Sequence, residues 1–245
     1  MARIVYLLFG VAAYAVFFAT FLYLVAFVGD CPSIPYAIDR GPEASLPLAI
    51  GIDLALIALF GVQHSVMARQ GFKKAWTRIV PEPVERSMYV LIASLCLIIL
   101  FVFWRPIPAV IWAVQNQTLA YVLWALFGIG WLIVLLSTFL INHFELFGLR
   151  QVWAHARGHD IPAPVFRKPF FYRFVRHPLY SGFVLAFWAT PVMTGGHLLL
   201  AIGMTVYILI AIGHEERDLV GLFGAEYEAY RGEAGMLVPK LGRRG

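Results

Sequence analysis

Two short polar stretches near the end of the chain hold most of its chemistry-bearing side chains: Arg176-His177-Pro178-Leu179-Tyr180-Ser181-Gly182 and Glu215-Glu216-Arg217-Asp218-Leu219. Between them lie two apolar segments, Leu179 to Met193 and His197 to Gly213, divided by Gly195-Gly196. At 1.5 Å of rise per residue, segments of about 15 to 17 residues fall slightly short of a hydrocarbon core roughly 30 Å thick. A Gly-Gly pair between them predicts a tight turn, and hence a helical hairpin that dips into the bilayer and returns. Both polar stretches then meet at one membrane interface. A guanidinium, an imidazole, phenols and paired carboxylates gathered there are the makings of a site for a charged ligand.

The elements that must position those groups are membrane helices. Of 245 residues, 61% are hydrophobic and only 13% charged, against roughly 25% charged in soluble domains. Apolar runs near the length of a bilayer span recur at Ile4 to Val28, Leu46 to Met67, Val84 to Trp104 and Thr118 to Ile141. The expected fold is therefore an all-α integral membrane bundle. It has four full spans, a shorter C-terminal helical hairpin and an interfacial C-terminal helix from about His214 to Tyr230. On that last helix Leu219, Phe223, Tyr227 and Tyr230 form an apolar stripe, with Glu216, Asp218, Glu226 and Glu228 beside it. Residues 1–245 read as a single membrane domain, with 143–245 carrying the polar motifs. The first run is too long for a signal-peptide core, and no small-x-small cleavage site follows it, so it is expected to persist as a helix.

Orientation follows from the basic residues. Of 19 Lys plus Arg, only Arg40 and Arg105 fall in the loops after the first and third spans. The other 17 lie at the N-terminus, in segments 68–86 and 143–176, or after Gly213. The positive-inside rule then predicts a multi-pass protein of a bacterial-type inner membrane with both termini, and the motif-bearing face, in the cytoplasm. The net charge of +5 points to topology and not to nucleic acid, since no basic stripe lies on a soluble fold. Cys31 and Cys96 predict neither a disulfide nor a metal site.

Further polar groups stand at or inside the spans. His143 and Glu145 lie where the fourth span ends; His143 suits a proton acceptor at neutral pH, and equally a helix end at the interface. His64 and Asp53 fall within the second span, where ionisable groups are costly and turn toward the bundle interior. Trp124, Phe127, Trp131 and Leu135 at helical spacing predict bundle packing. His155, His159 and Asp160 show no ligand pattern.

The two polar stretches, with Phe223-Gly224-Ala225-Glu226-Tyr227-Glu228-Ala229-Tyr230, resemble the isoprenylcysteine carboxyl methyltransferase superfamily, which includes phospholipid methyltransferases. The shared pattern is Arg-His-Pro-x-Tyr-x-Gly, a helical hairpin, Glu-Glu-x-x-Leu, then Phe-Gly-x-x-Tyr-x-x-Tyr, and it covers roughly the last 100 residues. Asn142-His143-Phe144-Glu145-Leu146-Phe147-Gly148 and Gly61-Val62-Gln63-His64-Ser65 resemble one branch, the methanethiol S-methyltransferases. That resemblance implies an S-adenosyl-L-methionine-dependent enzyme methylating a small thiol, methanethiol to dimethyl sulfide. It implies cofactor contacts at Tyr172, Arg176, His177, Pro178, Tyr180 and Glu215, with Gln151 as the counterpart of a further Gln whose spacing differs in relatives. Methyl transfer from a sulfonium needs positioning, exclusion of water and a deprotonated acceptor, but no metal. His143, and after it His64, are the candidate bases.

Prenylcysteine methyltransferases place an Arg about four residues before the first Glu of the pair, where this chain has Ala211. The implied partners are thus a small-molecule thiol and membrane lipid, with no obligate protein partner evident. The alternatives are an isoprenoid or lipid acceptor within the same class, and, because the first half also resembles the NnrU family, a haem-binding membrane protein with His64 as axial ligand.

Overall fold

In hydrocarbon a chain can satisfy its own N–H and C=O groups only as helix or closed barrel, and the apolar runs take the first course. The computed structural model describes residues 1–162 and 165–240. In chain order these form α1 (Ala2–Val28), α2 (Leu46–Ala68), α3 (Gln70–Trp76), α4 (Glu82–Phe103), β1 (Val110–Ala113), α5 (Gln117–Ile141), α6 (His143–Leu146), α7 (Leu149–Arg157), α8 (Pro178–Trp188), β2 (Val192–Thr194), α9 (Gly195–Phe223) and α10 (Ala225–Glu233). A 3₁₀ turn, Phe170–Arg173, precedes α8. Helices α1, α2, α4, α5 and α9 are each long and apolar enough to cross a bilayer. The chain is an all-α, multi-pass integral membrane protein, its only strands among the described residues being the short β1–β2 pair.

The hairpin departs from expectation. Its first arm, α8, has 11 residues and spans about 16 Å; its second, α9, has 29 and is a full-length helix. The turn is not at Gly195-Gly196, which instead open α9. The chain reverses just before them, through the buried residues Ala189, Thr190, Pro191, Met193 and Thr194. Thr194 Oγ1 then accepts from the His197 backbone N–H at 3.2 Å and starts the helix. The two glycines serve close packing: a Cβ on Gly195 would stand 2.8 Å from Ile107 Cγ2, and one on Gly196 3.1 Å from the Ile107 nitrogen.

Nor is there one C-terminal helix from His214 to Tyr230. Gly224, at φ 56° and ψ −131°, breaks it, so the Glu215-Glu216 pair belongs to the last turns of α9. The basic segments after α2 and α5 contain α3, α6 and α7. Residues 241–245, part of the basic C-terminal segment in the orientation argument, lie outside the described residues.

The chain divides into two compact units. The first comprises Met1–Trp112, Asn142–Pro162 and Val192–Leu200. Its core joins Phe27, Phe101 and Trp104, with Trp104 Nε1 donating to the Ile38 carbonyl at 3.1 Å. Asp53, fully buried, accepts through Oδ1 from the Arg105 backbone N–H at 2.9 Å, which offsets part of the cost of a carboxylate within a span. The second unit comprises Ala113–Ile141, Ala163–Pro191 and Ala201–Gly245. There α5 and α8 meet backbone to backbone at Gly130 and Gly182. Trp131 is buried edge-on against Phe183 and Phe187. Trp124, expected to pack likewise, is 41% exposed, with its ring edge-on to Phe127.

Candidate active site

The Arg176 motif is held from two directions, both within the second unit. Pro178 occupies the first turn of α8, where its missing N–H leaves nothing unsatisfied. Immediately before it, residues 174–177 pair with the chain that follows α10. The Gly235 N–H donates to the Phe174 carbonyl at 3.1 Å, Arg176 N–H to Gly235 at 2.7 Å, and His177 N–H to Met236 at 3.2 Å. Ser181 Oγ adds a bond to the Leu237 carbonyl at 2.6 Å. Backbone that would otherwise be an unpaired loop is thereby fixed.

Side chains close the arrangement around Glu216, which is only 8% exposed. Its Oε1 accepts from Arg176 Nε at 2.7 Å and lies 3.1 Å from His177 Nε2; its Oε2 stands 3.2 Å from Arg231 Nε. Arg176 donates a further bond to the Ala234 carbonyl at 2.6 Å. A buried carboxylate is tolerated when paired and multiply hydrogen-bonded, and strongly destabilising when its partners are removed. Glu215, the neighbour that the motif resemblance singles out, is 45% exposed in its side chain, with Oε2 3.8 Å from His177 Nδ1.

Three phenols complete the cluster. Tyr230 Oη donates to the Tyr172 carbonyl at 2.5 Å, tying α10 to the 3₁₀ turn. Tyr172 itself stands close to Glu215: burial first, then that negative charge, push its hydroxyl well above the usual phenol range. Burial likewise raises Tyr227, and raises Tyr230 to about 12. All three stay neutral at any working pH. The Tyr180 ring lies 5.7 Å from that of His177. A shallow cleft lined by Gly213, Glu216, Arg217, Val220 and Arg231 opens beside the network.

Of the expected cofactor residues, the structure thus gathers Tyr172, Arg176, His177, Pro178, Tyr180 and Glu215 in one unit. Glu216, Arg231 and Tyr230 join them without having been expected. The sequence pattern sets Glu216 beside the apolar stripe, whereas it lies on the buried face with Ile212, one helical turn earlier. That spacing is the available signal, because a carboxylate on a buried stripe must be paired.

Gln151, His143 and His64 belong to the first unit. Gln151 Nε2 donates to the Glu145 carbonyl at 3.0 Å, and its Oε1 is buried without a hydrogen-bond partner among the described residues. His143 is 4% exposed, with Nε2 2.7 Å from Tyr14 Oη and its ring edge-on to Phe147. Burial holds its pKa below the ordinary histidine value. His64 lies between Phe60 and Tyr89, at ring separations of 5.2 and 5.0 Å.

No family model matches the chain, and no solved structure matches it. It is 54% identical over 232 residues to methanethiol S-methyltransferase 1 of Bradyrhizobium diazoefficiens, covering 95% of this chain and 81% of that one. It is 52% identical over 239 residues to the methanethiol S-methyltransferase of Mycobacterium tuberculosis, covering 98% of each. Nurim of Sus scrofa is 31% identical over 186 residues, or 72% of this chain and 70% of nurim.

Proposed function

The chain belongs to the methanethiol S-methyltransferase family, and from that membership we propose that it transfers a methyl group from S-adenosylmethionine to methanethiol, yielding dimethyl sulfide. The observation that supports this most directly is the second unit's pairing of the Arg176 motif with Glu215 and Glu216. S-adenosylmethionine supplies a methyl carbon on a cationic sulfur, open to in-line attack without a metal. Its remaining groups are a carboxylate, an ammonium, a ribose diol and an adenine. Arg231 suits the first, Glu215 the second or third, and the faces of Tyr172 and Tyr180 the adenine and the sulfonium. The half-exposed Glu215 and Arg231 offer reachable charge beside a buried, rigid network, so the residues present fit the group.

In this reading Tyr172, Arg176, His177, Pro178, Tyr180, Glu215 and Gln151 bind the donor. His143, with His64 as second candidate, takes the thiol proton as sulfur attacks. His177→Ala, Tyr180→Ala and Glu215→Ala should each weaken S-adenosylhomocysteine binding in calorimetry. Loss of a charge-assisted contact of about 1.5–3 kcal/mol corresponds to roughly ten- to a hundredfold in affinity. Wild-type binding in all three would place the donor elsewhere.

Acceptor choice rests on what the chain lacks before its Glu pair. Ala211, four residues before Glu215 and followed by the buried Ile212, offers nothing to pair with a prenylcysteine carboxylate. An unpaired carboxylate against that surface would cost several kcal/mol, whereas a small neutral thiol meets no such penalty. Incubating the purified protein with methyl-labelled S-adenosylmethionine should therefore release volatile labelled dimethyl sulfide from methanethiol and leave prenylcysteine unlabelled. No labelled product from any thiol would remove the reading. Rapid methylation of the prenylcysteine carboxylate with methanethiol inert would overturn the acceptor assignment while leaving the donor site intact.

The site is proposed to face the cytoplasm, with both termini on that side, from the asymmetry of basic residues. Cysteine introduced at Ser45 or Gln117 should react with an impermeant thiol reagent from outside. At Arg157 it should react only after permeabilisation. Labelling at Arg157 from outside would reverse the orientation.

A further inference from the structure

Both oxygens of Glu216 are engaged by guanidinium donors, Oε1 by Arg176 and Oε2 by Arg231. A carboxylate so engaged only accepts, so His177 Nε2, 3.1 Å from Oε1, must carry a ring proton. In the neutral imidazole the other nitrogen is then a bare acceptor. That nitrogen, Nδ1, faces Glu215 Oε2 at 3.8 Å. Two acceptors do not bond one another, but both can reach one donor group placed between them. Two hydrogen bonds of about 2.9 Å from a single tetrahedral ammonium nitrogen hold their acceptors roughly 4.7 Å apart, so the half-exposed Glu215 carboxylate would draw back by about 1 Å to admit it. Glu215 is half-exposed, so a ligand can approach it, whereas His177 and Glu216 are buried and fixed.

We infer that Glu216 is a positioning residue that keeps the proton on His177 Nε2, and so makes His177 Nδ1 and Glu215 a paired acceptor for the ammonium group of the methyl donor. This rests on the S-adenosylmethionine reading above and specifies which part of the donor the pair holds. The neighbours agree with the division of labour. Arg176 is engaged by Glu216 and by the backbone carbonyls of Arg231 and Ala234, so its guanidinium does not close the acceptor pair. Tyr172, kept neutral beside Glu215, adds no competing charge.

The test combines nitrogen NMR of the wild type with calorimetry. Ring nitrogens of His177, assigned by their loss in His177→Gln, should show the proton on Nε2 and a bare Nδ1. Wild type should bind S-adenosylhomocysteine about tenfold or more tighter than its deaminated analogue, the scale of one charge-assisted contact. In Glu216→Met nothing accepts from Nε2, so the ring proton moves to Nδ1, which then donates to Glu215 and closes the pair. That variant should lose roughly tenfold in affinity for S-adenosylhomocysteine, while binding of the deaminated analogue hardly changes. A wild-type ring protonated on Nδ1, or on both nitrogens as an imidazolium paired to Glu215, overturns the inference. So does a Glu216→Met protein that weakens both nucleosides alike, the mark of a merely structural residue. Should that variant not fold, the wild-type spectrum and the wild-type preference between the two nucleosides decide the matter. Failure of wild type to bind either nucleoside would instead sink the S-adenosylmethionine reading itself.

Discussion

Gly182→Val should yield no folded protein on detergent extraction. A Cβ at Gly182 would stand 2.6 Å from the Gly130 carbonyl oxygen and 2.9 Å from the Val134 nitrogen, and a Cβ at Gly130 would stand 2.7 Å from the Ala186 nitrogen. These neighbours are backbone, which cannot rotate aside as a side chain can. Membrane helices associate through such small-residue contacts because lipid supplies no hydrophobic drive between them. Overpacking a core costs about 1–3 kcal/mol even where side chains can give way, and a valine pressed on backbone costs more. Total stabilities of about 5–15 kcal/mol leave little reserve. The loss would reach the site as well, since α8 begins at Pro178 and carries Tyr180. Gly128→Val on the same α5 is the control: nothing lies within 4 Å of its Cβ, and extraction yield and thermal midpoint should stay near wild type. A Gly182→Val protein that melts at the wild-type midpoint would rule out the close approach of α5 and α8.

The motif glycine therefore has a packing reason that no residue type alone discloses, and the same holds elsewhere in the chain. Four of the five long helices are legible in the sequence, because a run of some twenty apolar residues without charge has one stable state in lipid. The fifth, α9, reads as two pieces. Gly195-Gly196 looks like a turn in isolation and becomes a helix start only because Ile107 crowds both glycines and Thr194 caps the helix. At its other end the amphipathic pattern continues from Leu219 to Tyr230, so the break at Gly224 is hidden by a stripe that both helices share. Long-range pairings leave no trace in the sequence. Tyr14 meets His143 across 129 positions, and β1 pairs with a strand that follows only after α5 and α8 in the chain. The motif residues themselves are legible as a set. Glu216 escapes notice when the apolar period is traced forward from Leu219 and not back to Ile212.

His143→Ala should lower turnover by about 10² to 10⁴, the usual worth of a positioned general base, while S-adenosylhomocysteine binding stays at the wild-type level. An alkyl thiol is mostly protonated at pH 7, given a cysteine reference near 8.5, so the reaction needs a group that is itself unprotonated there. Burial disfavours the imidazolium of His143 and keeps its pKa below the ordinary value of roughly 6.5. The base is accordingly unprotonated at neutral pH, and rate should fall only as the pH drops below that ordinary value. Stability shifts in the same sense. The unfolded chain binds the proton first on acidification, so the contribution of this group is present above the unfolded pKa and lost as pH falls through the folded one. Removing His143 should flatten the acid limb of the rate profile; an unchanged limb and unchanged turnover would pass the role to His64.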